Sequence, residues 1–242
     1  MIVINQKRIK IILSCILISL FVFTAKTYNN QNKNDGGENI QTTATPASGK
    51  TIIIDAGHGT PDEGAQSSSG TTEAQTNLKI ALKLQNLLEQ NGSKVILTRS
   101  DNNAIYDLDS KTLKQKKISD IKNRVKIGNE NSADIFVSIH LNKIPQSEYH
   151  GWQCFYNTKN EKSIELAKKI QENLNEAIQK ENTRVAMKLN TVYIMKNIEI
   201  PISIVECGFL SNPEEEKKLL EDSYQDRLAW GIYNGILDYF YN

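Results

Sequence analysis

The sequence predicts an α/β fold: an open, mostly parallel, twisted sheet with helices on both faces. Two observations carry the prediction. Short apolar, β-branched runs alternate along the chain with longer segments whose apolar residues recur at helical spacing, the order that builds parallel sheets from strand–helix–strand units. Residues suited to chemistry, among them His58, His140 and Glu206, lie at the ends of three of those runs. In open α/β sheets, ligands bind outside the carboxyl ends of the strands.

Taken in order, Thr51 to Ile54 runs into Asp-Ala-Gly-His-Gly and reads as a buried parallel strand entering a functional loop. Glu73 to Asn91 carries Leu78, Ala81, Leu82 and Leu88 on one face, widened by Ile80, Leu84 and Leu87. Such breadth suits a helix pressed on a sheet, here ended by Gly92 in the left-handed region. Lys94 to Thr98 is a second strand. Residues 100–118 are polar and lysine-rich and read as loop, followed by a helix from Ser119 to about Asn131 and a third buried strand ending in His140. Gly151 to Tyr156 reads as an edge strand, and Ser163 to Lys180 as an amphipathic helix. Val192 to Met195 and Ile200 to Val205 read as further strands. Asn212-Pro213-Glu214-Glu215 opens a helix with its cap, first-turn proline and acids in the expected order. A last helix from Tyr224 to Tyr239 closes the chain.

Of the 242 residues, 39% are hydrophobic, and the net charge is only +1, which argues against a nucleic-acid binder. Three cysteines are too few for a disulfide-built scaffold. The charge is unevenly spread, +3 over residues 1–49 and −2 over the rest. Lys7, Arg8 and Lys10 precede the apolar run Ile11 to Ala25, so residues 1–25 read as an export signal or membrane anchor with its basic flank inside. Residues 26–49, rich in Asn, Gln, Thr and Gly, read as a flexible tether. Residues 50–242 then form one mildly acidic catalytic domain on the exported side.

Three motifs carry the chemistry: Asp55-Ala-Gly-His58-Gly59 with Glu73 beyond it, Ser138-Ile-His140-Leu-Asn142, and Val205-Glu206-Cys207-Gly208. Two histidines and one glutamate suit a catalytic zinc, which takes three protein ligands and keeps a fourth position for water. A second carboxylate off the metal, for which Glu206 is well placed, is needed to move the water's proton to a leaving amine. The His–Glu spacing matches no short zinc-binding helix motif.

These motifs, with the E-x3-NL helix opening, LTR at 97–99 and VECGFLSNP, resemble the zinc N-acetylmuramoyl-L-alanine amidases of the bacterial cell wall, over essentially all of residues 50–242. The resemblance implies that His58, Glu73 and His140 ligate Zn2+, that Glu206 is the catalytic carboxylate, and that the sheet has six strands. SIHLN followed by IP, GWQCFY, and MKNIEIPISIVECGFLSNPEE are most similar to the spore-cortex subgroup. That subgroup implies a peptidoglycan substrate and removal of the stem peptide so that a muramic acid deacetylase step can close muramic-δ-lactam for germination. It also implies a location at the outer face of the membrane or in the spore intermembrane space. A departure follows the first histidine, where Gly59 leads into Thr60-Pro61 rather than a second glycine.

The remaining residues have open readings. Asp55 and Asn77 orient the ligating groups or cap a loop and a helix. Arg99 is an ion-pair anchor or a substrate-carboxylate contact, and Asn142 contacts substrate or shapes its turn. His150 reads as a solvated loop residue, Cys154 and Cys207 as buried free thiols, and Trp152 as core. Gln66 to Thr72, small and polar, is expected to be mobile and to hold Glu73 loosely, which leaves room for an accessory activator protein. Two rival functions use the same residues: a zinc peptidase acting within the stem peptide, and a non-catalytic wall-binding module.

Overall fold

In the computed structural model, residues 44–179 and 182–241 are described, and the expected anchor and most of the expected tether lie outside them. The strands are β1 (Thr51–Ala56), β2 (Lys94–Leu97), β3 (Ile135–Asn142), β4 (Gln153–Tyr156), β5 (Met187–Lys188) and β6 (Ile202–Phe209). The helices are α1 (Glu73–Gln90), α2 (Leu113–Glu130), α3 (Glu161–Ile178), α4 (Tyr193–Asn197), α5 (Pro213–Leu220) and α6 (Asp222–Tyr241). Six strands form one sheet in the order β2-β1-β3-β6-β4-β5. The first four of that order run parallel, and β4 turns antiparallel against β6.

Alternation of side chains along each strand sorts residues between two cores. Ile52 and Ile54 of β1, Ile135, Val137 and Ile139 of β3, and Val205 of β6 face the larger core, packed by α1, α3 and α6. Ile53, Phe136, Ile202 and Ile204 face a smaller core covered by α2 and α4. The same alternation puts Asp55, Ser138, His140 and Glu206 on the smaller-core face. That face therefore ends in polar residues at the carboxyl ends of the central strands, above Ile53, Phe136 and Ile204.

Four expectations change. Val192 to Met195 is not a strand: α4 starts at Tyr193, because the buried apolar residues 194, 195 and 198 repeat at helical spacing. The missing strand is β5, two exposed residues with no hydrophobic signal, and it covers the outer side of β4, which is thus not the edge. Helix α2 begins six residues before Ser119, its start marked by a capping box in which Thr112 and Gln115 exchange hydrogen bonds. Its first turn is polar and exposed, so periodicity alone misses it. The folded unit also begins before Lys50, since Ala47 is fully buried and Ser93 donates a hydrogen bond to its carbonyl.

Candidate metal centre

The site assembles from four segments at the carboxyl ends of the strands. Parallel pairing puts His140 of β3 directly beside Glu206 of β6. The loop after β1 brings His58 in from the other side, and α1 begins with Glu73. A Cβ at Gly57 would collide with the His140 ring, and one at Gly64 would lie 2.6 Å from Glu73 Oε2 and 2.7 Å from His58 Cδ2. Only glycine allows the loop to pass this close to the imidazoles, and at Gly64 it adopts φ +69° at no steric cost.

Glu73 is buried, and its Oε1 lies 2.9 Å from His140 Nδ1 and 3.3 Å from His58 Nε2. Backbone amides complete its shell: Ala65 N–H donates to Oε2 at 2.8 Å and Leu141 N–H to Oε1 at 3.1 Å. One donor atom from each of His58, Glu73 and His140 falls within 4.8 Å of the other two. A tetrahedral ion with arms of about 2.0–2.1 Å separates its ligands by roughly 3.3 Å, so two nitrogens and an oxygen at 2.9 and 3.3 Å fit a zinc-type donor set. The other His58 nitrogen, Nδ1, lies 3.2 Å from Asp62 Oδ2, and Asp62 in turn pairs with Lys117 at 2.8 Å. Burial disfavours the charged imidazole of His58, but the Asp62 and Glu73 carboxylates more than offset it and raise its pKa to about 9. Burial likewise opposes ionisation of Glu73, yet His140 and His58 hold it well below the usual carboxylate range.

Glu206 is different in kind. Its Oε2 is buried without a hydrogen-bond partner among the described residues. Burial pushes its pKa up to about 7, with Glu73 adding to the rise and the two histidines opposing it. A cavity of about 330 Å³ opens beside it, lined by His58, His140 and Glu206 together with Asp62, Lys117 and the apolar Ile121, Leu189, Val192 and Ile194.

The N-acetylmuramoyl-L-alanine amidase family profile matches residues 52–238. The chain belongs to the N-acetylmuramoyl-L-alanine amidase family. It is 36% identical over 224 residues to the germination-specific N-acetylmuramoyl-L-alanine amidase of Bacillus subtilis (strain 168), covering 93% of this chain and 91% of that protein. Among solved structures, the CwlD amidase of Clostridioides difficile in complex with the GerS lipoprotein aligns at TM-score 0.76 and 45% identity, over 78% of this chain and 98% of that one. The N-acetylmuramoyl-L-alanine amidase of Clostridium difficile 630 aligns at TM-score 0.69 and 32% identity, over 79% and 97%.

Other residues of this amidase-family chain divide sharply. Asn77, fully buried, donates to Gly57 O at 3.2 Å and to Glu73 Oε1 at 3.5 Å, so it touches the cluster's carboxylate. Asp55 touches no imidazole. It accepts from Thr98, Arg124 and Ser138 at 2.6–2.7 Å, and although burial opposes its charge, Arg124 and the two hydroxyls hold its pKa below the ordinary value. Arg99 is spent on backbone. It is 4% exposed and donates to the carbonyls of Ala56, Gly57, Ala74 and Asp101, while burial and the Arg124 charge bring its pKa down to about 10. Asn142 serves through its backbone, accepting Leu210 N–H beside a register shift between His140 and Asn142.

His150 is exposed, Cys154 and Cys207 are free and buried, and Trp152 is core. The Gln66–Thr72 segment is tied down rather than loose. Ser67 N–H bonds Thr71 O, Lys143 reaches Gln66 O, and the Ser69 hydroxyl donates to Glu216 of α5.

The residue that sequence reasoning missed is Arg124. It is 1% exposed, and its guanidinium binds Asp55, Asp120 and the carbonyls of Ala56 and His58, which stands at φ +63°. Its only sequence signal is Asp120 four residues earlier, at ion-pair spacing on a helix that lacked an apolar stripe.

Proposed function

We propose that the cleft is a zinc amidase centre that hydrolyses the bond between the lactyl carbonyl of N-acetylmuramic acid and L-alanine of a peptidoglycan stem peptide. The observation that carries this is a fully bonded Glu73 shared by two imidazoles beside a buried, unpartnered Glu206 in register with His140. His58, Glu73 and His140 would hold the ion. When bound, zinc supplies Lewis acidity, lowering the pKa of a water and polarising the amide carbonyl. Glu206 takes the water's proton and returns it to the alanine nitrogen as the C–N bond breaks. Asp62 and Asn77 keep His58 and Glu73 oriented, and Arg124 holds the loop that carries His58.

The similarity to a germination-specific amidase supports spore cortex as the wall acted on, with a muramic acid deacetylase consuming the product so that muramic-δ-lactam forms. The complex of CwlD with a lipoprotein supports an accessory protein for this chain as well. Residues 1–25 would export the domain and tether it at the outer face of the membrane or in the spore intermembrane space. The test is mass spectrometry of digested wall with zinc-loaded protein. Release of whole stem peptides with a new N-terminal L-alanine is expected. Cuts inside the stem peptide would replace the assignment with a peptidase, and no release at all would leave a binding module.

A further inference from the structure

One cation near the catalytic strands is left with unused donors. Gln153 of β4 pairs directly with Glu206 of β6 across the antiparallel ladder, so the two side chains share one face of the sheet. The Gln153 amide is engaged at both ends: its Nε2 donates to Val185 O at 3.0 Å, and its Oε1 accepts from Arg184 Nη1 at 3.3 Å. The Arg184 guanidinium thus sits one side chain beyond the catalytic carboxylate. Two aromatic rings hold its plane, Phe209 at 4.8 Å and Tyr149 at 5.8 Å from its Cζ, and its Nε donates to His150 O at 3.2 Å. Tyr149 is itself fixed by Asn212, which donates to its carbonyl, and its ring is nearly half exposed.

These contacts use two of the five N–H donors of the guanidinium. No carboxylate among the described residues pairs with it. A planar fork that is stacked and oriented, yet has no anion, is the side that binds a carboxylate from outside. Distance suits one carboxylate in particular. Directly opposed residues in such a ladder place their Cβ atoms about 5 Å apart, and the guanidinium lies beyond that. In a stem peptide the residue after L-alanine is an acidic residue joined through its side chain, with its α-carboxylate free. That carboxylate lies at most about 6 Å from the scissile nitrogen by backbone dimensions.

We propose that Arg184, held by Tyr149, Phe209 and Gln153, is a binding subsite for the free α-carboxylate of the second stem-peptide residue, and that it makes the enzyme discriminate against stems amidated at that position. The subsite rests on the amidase reading, because that reading places the scissile amide at Glu206. The test compares muramoyl-L-Ala-γ-D-Glu-L-Lys with the same compound carrying an α-amide on the D-Glu residue, each with the zinc-loaded wild-type protein and with R184Q. A charge-assisted pair of this kind corresponds to a preference of roughly 10- to 100-fold in kcat/KM for the carboxylate substrate. R184Q is expected to shrink the ratio to within a few-fold. The ratio does not depend on how much of the variant is folded.

A wild-type ratio near one, or an unchanged ratio in R184Q, overturns the subsite. Calorimetric binding of the tripeptide L-Ala-γ-D-Glu-L-Lys and its α-amide separates this from the chemistry. If neither muramoyl compound is cleaved, the amidase reading falls. Tighter binding of the carboxylate tripeptide to wild type, lost in R184Q, still supports the subsite, and equal binding of the two tripeptides refutes it.

Discussion

The two glutamates of the cleft live in opposite surroundings. Glu73, at the start of α1, accepts two backbone N–H groups, receives Asn77, and lies against both imidazoles. Glu206, on β6, keeps a buried oxygen with no partner among the described residues. One environment fixes a carboxylate as an anion, and the other leaves it near the point where it gains or loses a proton. A site that pushes the pKa values of two carboxylates apart has assigned them different tasks, one to hold a cation and one to carry a proton. The most direct way to break the comparison is to exchange charge for amide at each position. Glu206→Gln should lose about 10²- to 10⁴-fold in kcat while metal analysis shows zinc content unchanged. Glu73→Gln should lose zinc instead, by more than the roughly 10- to 100-fold typical of an outer-shell partner. If Glu206→Gln lost metal and Glu73→Gln kept it, the two assignments would be reversed.

The same contrast reads out as pH-dependent stability of the metal-free protein. Burial raises Glu206 to about 7 in the folded state, above its value near 4.3 in the unfolded chain. The folded state therefore holds the extra proton, and the contribution is fully present below about pH 4 and lost as pH rises to about 7. The loss amounts to about 4 kcal/mol. Glu73 behaves oppositely: its lowered pKa contributes stability above about pH 4 that disappears in acid. Chemical denaturation from pH 4 to 8 should show a falling limb that is flattened in Glu206→Gln. An identical limb in the variant would mean that Glu206 does not titrate in this range.

The sequence made the site's first layer legible because strand periodicity and motif order place His58, His140 and Glu206 at the ends of adjacent strands. Long-range packing hid the layer behind it. Arg124 sits on α2, whose first turns face solvent, and only the folded chain shows it reaching Asp55 and the His58 carbonyl. Asp55 stands in the same motif as His58 and on the same face as His140, but the strand register sets it opposite Ser138, where it bonds Thr98, Ser138 and Arg124 instead of an imidazole. Strand β5 gives no sequence signal, and the α4 turn reads as a strand, for a related reason. A two-residue exposed strand carries no apolar alternation, and Val192, Tyr193 and Ile194 have strand-like composition in a segment whose buried positions follow a helix.

A smaller effect sharpens the contrast on the His58 side. Asp62 Oδ2 lies 3.2 Å from His58 Nδ1, while its Oδ1 pairs with Lys117. A carboxylate in that position fixes the ring's tautomer and raises its basicity as a ligand. Asp62→Asn keeps the shape and a hydrogen-bonding oxygen but removes the charge. Zinc affinity should then fall by roughly 10-fold, while the kcat of fully loaded protein changes far less than in Glu206→Gln, because Glu206 and its unpartnered oxygen are untouched. Lys117→Met separates the two neighbours of Asp62. Lys117 is half exposed, and an exposed pair is worth at most about 1 kcal/mol, so this variant should alter zinc affinity by no more than a few-fold. Competition against a chelator of known affinity measures both variants on one scale. Equal losses in the two would show that Asp62 acts through the surface ion pair and not through the His58 ring.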